Sequence, residues 1–193
     1  VVKVALDYNN GIYQLESSRG FLIYYSGKSG VVASTKGYTA ENDAAKQWCV
    51  YKSERSGKYY LYNLGAQKFL GAYNTNGEFV WVESPDTDVK IVESTKNGYP
   101  FIFSTDGTTG AVNHHSHTQT APYVKNWDQG LLDENLDDDG SSHRMVYVSD
   151  VDAATLATIQ NAVGRYEPPC TVTYNYKDGY KLIATVSHEL YVG

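Results

Sequence analysis

The stretch "KYYLYNLGAQKFLGAY", Lys58–Tyr73, decides the fold, because the chain writes it three times. Its counterparts are "GIYQLESSRGFLIYYSG" (Gly11–Gly27) and "YPFIFSTDGTTGAVNH" (Tyr99–His114). Each opens on alternating apolar residues: Tyr13 and Leu15, Tyr60 and Tyr62, Phe101 and Phe103. A period of two marks a half-buried strand. Each then turns through Gly, Ser or Asp and resumes as a short second strand, the pattern of a hairpin.

Working outward, a second motif recurs as "QWCVY" (Gln47–Tyr51), "DVKIV" (Asp88–Val92) and "RMVYV" (Arg144–Val148). Trp48 precedes Tyr60 by the same distance as Val89 precedes Phe101. Third strands stand at Val31–Ser34, Phe79–Val82 and Tyr123–Lys125. Four short strands in each of three units predict an all-β, pseudo-threefold closed barrel, since closure leaves no exposed sheet edge. The positions expected to point inward are Leu15, Leu22, Trp48, Val50, Tyr62, Leu70, Ile91, Phe103, Met145 and Tyr147. The step from Val89 to Met145 exceeds that from Trp48 to Val89, so the third unit carries an insertion within residues 113–143.

On these residues the chain resembles a β-trefoil of the ricin-lectin type, and among those the modules attached to secreted glycosidases of gut Bacteroidetes. "GIYQLESSRGFLIY", "KYYLYNLGAQKFLGAY" and "DDGSSHRMVYV" carry the resemblance, the last as an Asp-x-Gly-Ser turn feeding the final barrel strand. It spans roughly residues 8–149. The Gln-x-Trp signature of that family is altered here, with Gln47 and Trp48 adjacent, so the family's sugar-contacting residues do not transfer. The resemblance implies a carbohydrate-binding module.

The expected organisation is a trefoil over residues 1–149, a linker helix over 150–169 and a β-hairpin over 170–193 that begins a second β-rich module. In "SDVDAATLATIQNAVGRYE", Asp150 or Asp152 can cap the helix. Leu156, Ile159, Val163 and Tyr166 share one face, and Pro168-Pro169 ends it. The hairpin turns at Asp178-Gly179 and resembles the start of mucin-binding-type repeats of bacterial surface proteins. The first residues, Val1-Val2-Lys3, hold no initiator Met or signal peptide, and the chain stops at Gly193 after a strand-like run. We read a piece of a larger exported protein, located outside the cell, in the periplasm or on the cell surface.

Composition excludes some partners. The net charge of −6 argues against nucleic acid, which needs a basic surface. No run of about 18 apolar residues offers a membrane span. Two cysteines, Cys49 and Cys170, are too few for a disulfide scaffold. The chain has 18 tyrosines, which suit both strands and polar-ligand surfaces.

Four chemistries compete for the polar residues. His115 and His117 would share a strand face and could start a zinc site, but no Cys or Glu accompanies them at ligand spacing, so a solvated loop is preferred and no metal is expected. The acids Asp133–Asp139 lack the spacing of a calcium loop, and Asp139-Gly140-Ser141 reads as a turn with counterparts at Asp43 and Asp86. No nucleophile elbow or phosphate loop appears, so no catalytic residue or cofactor is assigned and a non-enzyme is expected. Sugar binding remains. An aromatic platform beside amide, carboxylate or imidazole groups suits a pyranose. "APYVKNWDQG" offers Trp127 with Asn126, Asp128 and Gln129, and with Tyr123, His115 and His117 on the wall. A second candidate joins Trp81, Tyr73, Asn74 and Asn76. The first repeat has Tyr38 but no Trp and looks least equipped. The expected function is a non-catalytic glycan-binding module that targets a tethered catalytic domain, a glycosidase, to its substrate. The alternative is a structural or protein-interaction spacer in a surface or adhesion protein.

Overall fold

The computed structural model describes residues 10–34, 37–115 and 122–168, and the backbone alone of Cys170–Asp178 and Lys181–Leu190. Among the described residues, twelve strands precede one helix. The first repeat holds β1 (Gly11–Ser17), β2 (Gly20–Ile23) and β3 (Val32–Ala33), followed by β4 (Trp48–Lys52). The second holds β5 (Tyr59–Asn63), β6 (Lys68–Tyr73), β7 (Phe79–Val82) and β8 (Lys90–Glu93). The third holds β9 (Phe101–Ser104), β10 (Ala111–Asn113), β11 (Lys125–Trp127) and β12 (Ser142–Asp150).

Six of these strands close a barrel in the antiparallel order β5-β4-β1-β12-β9-β8. The seam is a bridge from Tyr59 to Val89, with the Val89 amide donating to the Tyr59 carbonyl at 2.7 Å. The other six form three hairpins, β2-β3, β6-β7 and β10-β11, which cap one end.

A ring of backbone hydrogen bonds makes the threefold relation explicit. Val31 N–H donates to Phe79 O (2.9 Å), Phe79 N–H to Val124 O (3.2 Å), and Val124 N–H to Val31 O (2.9 Å). All three side chains are fully buried. A second ring runs outside it: Trp81 N–H to Ser29 O, Asn126 N–H to Gly77 O, and Ala33 N–H to Pro122 O. Ala33, Trp81 and Asn126 are therefore structural equivalents, and strand pairing extends the set to Leu22, Leu70 and Val112. The cap needs close backbone approach. A Cβ on Gly30 would sit 2.5 Å from Phe79 O.

The central core joins Leu15, Leu22, Trp48, Val50, Leu61, Leu70, Ile91 and Phe103, with Met145 partly buried against it. Two inward expectations are corrected. Tyr62 faces out of the barrel, and Leu61 fills the core in its place, so repeat two opens on Tyr59 and Leu61 rather than Tyr60 and Tyr62. The period was hidden because β5 is apolar on both faces. Tyr147 is 57% exposed, because β12 runs past the barrel there, paired only with β1. The last third strand is also shifted, to Lys125–Trp127, with Tyr123 making an isolated bridge to Val32.

The helix α1 (Ala153–Tyr166) starts at Asp152, whose carboxylate accepts from Thr155 N–H at 2.9 Å. Ile159, Ala162 and Val163 are buried against the outer face of the barrel, in one cluster with Ile12, Cys49, Tyr51, Tyr60, Tyr62 and Phe69. Full burial of an Ile or Val side chain is worth about 1.5–3 kcal/mol. Tyr166 departs from the expected face. It is 41% exposed and meets Tyr60 edge-on at 6.1 Å. The end of the helix is held by Glu167, whose carboxylate accepts from Ser53 Oγ (2.9 Å), Ser56 Oγ (2.5 Å) and Tyr60 Oη (3.0 Å). Beyond it, β13 (Cys170–Asp178) and β14 (Lys181–Leu190) pair antiparallel, with a bulge at Tyr176/Lys177. Gly179 of the expected turn lies outside the described residues.

Candidate glycan-binding surfaces

The structure separates most of the groups expected from the sequence to converge. Trp127 ends β11, half-buried and facing outward, and its carbonyl accepts from Gly130 N–H at 3.1 Å. Asp128 and Gln129 follow on an exposed turn. Asn126 points the other way. Its amide oxygen lies over Gly110 beside the Asp106 carboxylate, in a space that a Cβ on Gly110 would fill. Burial raises the Asp106 pKa, but donation from the Thr108, Thr109 and Gly110 amides outweighs it and holds the carboxyl below its ordinary value. Tyr123 lies at the cap, against Gly30. His115 is half-buried at the far end of β10, and His117 lies outside the described residues.

The second set is likewise dispersed. Trp81 stacks on Trp48 at 5.4 Å and meets Tyr24 edge-on at 5.8 Å, and its indole N–H is buried without a partner. That ring belongs to the packing. Asn74 shapes the β6-β7 turn, its Oδ1 accepting from Asn76 and Glu78 amides and its Nδ2 donating to Glu78 Oε2. Asn76 and Tyr73 are exposed, and Tyr73 meets Phe79 edge-on. The two tryptophans are out of phase: Trp81 is the counterpart of Asn126, while Trp127 is the counterpart of Val82 and Ser34.

An open cleft lies in repeat one. It has a volume of about 360 Å³ and runs between the outer side of β2-β3 and the chain that leads into β4. Phe21 and Ser34 form its floor, and Tyr38, Asn42, Asp43 and Lys46 form its walls. The Asn42–Lys46 wall is rigid. Asn42 Oδ1 caps a 3-10 turn (Asp43–Lys46) by accepting from Ala45 N–H at 2.9 Å, and Asn63 Nδ2 donates to Ala45 O at 3.0 Å. Gly65 is required behind it, because a Cβ there would come within 2.7 Å of Ala45 Cα.

Chemically the cleft is amphipathic. The Tyr38 ring is fixed edge-on by Tyr25 at 4.9 Å, and Lys28 Nζ stands 5.5 Å above it. Lys46 Nζ lies 5.7 Å from the Phe21 ring centre and 3.9 Å from Asp43, a loose pair whose carboxylate remains 89% exposed. An acceptor, a donor and an aromatic wall thus face one small space, the form of a polar small-molecule pocket. Little in the chain signals this cleft, because a Tyr and a capped turn are commonplace singly.

Two buried polar clusters have other roles. His114 and His143 are fully buried with their Nε2 atoms 3.0 Å apart. His143 Nδ1 lies 2.8 Å from Ser141 O, so it carries the proton there and its Nε2 accepts from His114. Burial pushes the His143 pKa down to about 4, and burial, then His143 and Arg19, hold His114 well below its ordinary value. Among the described residues no group of three or more His, Cys, Asp or Glu could hold a metal ion. The turn before β12 is closed by Asp138 rather than Asp139: Asp138 Oδ2 accepts from Gly140 N–H, Ser141 N–H and Asn113 Nδ2, while Asp139 pairs with Lys96 at 2.5 Å. Cys49 is a buried free thiol whose pKa is raised to about 12 by burial.

The architecture recurs in solved structures. The chain superposes on the Rhizoctonia solani agglutinin with a TM-score of 0.56 at 16% identity, covering 74% of this chain and 99% of that one. It matches the Macrolepiota procera ricin B-like lectin in complex with lactose with a TM-score of 0.56 at 14% identity, over 73% and 98% of the two chains. The fold is a β-trefoil. The same fold is found in a GlcNAcα1-4Gal releasing endo-β-galactosidase from Clostridium perfringens, with a TM-score of 0.56 at 16% identity over 72% of this chain, which spans 33% of that enzyme's length. No protein-family model matches the chain, and no curated protein does at significance. Among the described residues, no helix is long and apolar enough to cross a membrane.

Proposed function

We propose that this trefoil is a non-catalytic glycan-binding module and that the repeat-one cleft is its sugar site. The supporting observation is the cleft itself, with Tyr38 and Phe21 as apolar surface and Asp43, Lys46 and Asn42 to meet hydroxyls. Trefoil neighbours that are lectins, one of them holding lactose, support the same reading. A single shallow site exchanges water hydrogen bonds for sugar ones with small net gain, so weak affinity is expected. Such a module acts by raising the local concentration of substrate around a tethered catalytic domain, and we propose a glycosidase outside the cell as that partner. The trefoil neighbour within an endo-β-galactosidase supports this arrangement.

The test is binding to an array of neutral glycans by the wild type and by the Asp43→Ala and Lys46→Ala proteins. Loss of about 1.4 kcal/mol, tenfold in affinity, is expected for each. No glycan bound at millimolar concentration would sink the reading. Binding lost in Trp127→Ala but kept in both cleft variants would move the sugar to repeat three. A spacer role is the second reading. It is favoured by the Glu167 clasp that ties the helix end to the barrel, and it predicts no glycan binding at all.

A further inference from the structure

The threefold equivalence allows the cleft to be sought in the other two repeats. Its floor in repeat one is Phe21 and Ser34, joined by a hydrogen bond from Phe21 N–H to Ser34 Oγ at 2.9 Å. Pairing of the cap strands makes Phe69 and Val82 the counterparts in repeat two, and Ala111 and Trp127 the counterparts in repeat three.

In repeat two that position is taken. Phe69 is buried and belongs, with Val82, to the apolar cluster that contains Ile159, Ala162 and Val163 of α1. In repeat three it is also taken. The insertion after β11 turns back through Gly130 and Leu131 onto Ala111. The fit is tight enough that a Cβ on Gly130 would lie 2.4 Å from Ala111 Cβ. Leu131 N–H donates to Thr109 O at 2.9 Å and its side chain is buried with Ala111, Val92 and Ile102. Among the described residues, repeat one differs at the first of the two positions: Phe21 is half-buried, as is Ser34, whereas its counterparts Phe69 and Ala111 are buried.

We infer that the module is monovalent: in two of the three equivalent positions the chain's own apolar side chains, the cluster around Phe69 in repeat two and Leu131 of the insertion in repeat three, take the place of a sugar, and one sugar binds per chain. This rests on the glycan-binding reading above. It has a functional consequence. A monovalent module tethers a partner to a glycan without cross-linking glycans to one another, which separates it from an agglutinin that bridges cells.

The experiment is a calorimetric titration of the whole chain with lactose, repeated with Ser34→Phe, which places a large side chain where repeat three has Trp127. Thermal melting checks that the variant folds, and an Asp43→Ala, Lys46→Ala double variant at solvent-facing positions serves if it does not. Saturation at one lactose per chain, with all binding lost in the cleft variant, is the expected result. Saturation at two or three per chain, or a cleft variant that loses only part of the binding, overturns monovalency and leaves the glycan-binding reading standing. No binding by the wild type of lactose or of any other glycan on the array overturns both.

Discussion

Repeat one and repeat three share a backbone and differ in what covers it. Both place a small apolar residue at the ring of backbone bonds, Val31 and Val124, and both point Leu22 or Val112 into the core. Outside the barrel they diverge. Repeat one leaves Phe21 and Ser34 beneath an open cleft, while repeat three covers Ala111 with Leu131 and places a buried histidine pair one turn away. The difference teaches that threefold symmetry here belongs to the inward residues. The outward ones, freed from the shared core, decide which repeat can hold a ligand.

The largest expected effect comes from breaking what the repeats share. Phe79→Ala removes one member of the buried ring and leaves a cavity beside Val31 and Val124, at a cost of about 3–5 kcal/mol in urea unfolding. A smaller loss would mean that the cap is not one packed unit.

Acid comes next and acts on repeat three. The folded state holds His143 near pKa 4, against 6.5 when unfolded, and holds His114 low as well. The unfolded chain therefore binds more protons across that window, so stability rises with pH. The contribution of His143, roughly 3 kcal/mol, is complete above pH 6.5 and is lost as the pH falls toward 4. Urea midpoints measured from pH 7 to pH 4 in wild type and His143→Gln check this, the variant showing a flatter slope. An equal slope in both would exclude the pair as its source.

A milder contrast sharpens the comparison directly. Leu131→Ala is expected to cost about 2 kcal/mol, because it opens a buried position, whereas Ser34→Ala at the cleft floor should cost about 1 kcal/mol or less. Equal effects would indicate that the two positions are packed alike.

Much of the fold was legible in the chain. Recurrent alternation in "GIYQLESS" and "FIFS" gave the strands, and their threefold return gave the closed barrel. The misplacement of Tyr62 has a physical cause. Where a strand is apolar on both sides, as in Tyr59–Asn63 beneath α1, a period of two no longer tells inside from outside. The candidate site was less legible. Trp81 and Trp127 look alike in sequence, yet they differ by one position in phase and so face opposite sides of the cap hairpins. The cleft of repeat one draws on Phe21, Ser34, Tyr38 and a turn capped by Asn42, residues brought together only by the path of the chain into β4.

The most direct measurement is a backbone-amide NMR titration with the glycan that binds most tightly on the array. The account predicts that the shifts concentrate at Phe21, Tyr38, Asn42, Asp43 and Lys46, leaving Asn126 to Gln129 in place. Shifts confined to Trp127 and its neighbours, with the repeat-one cleft unmoved, would contradict it.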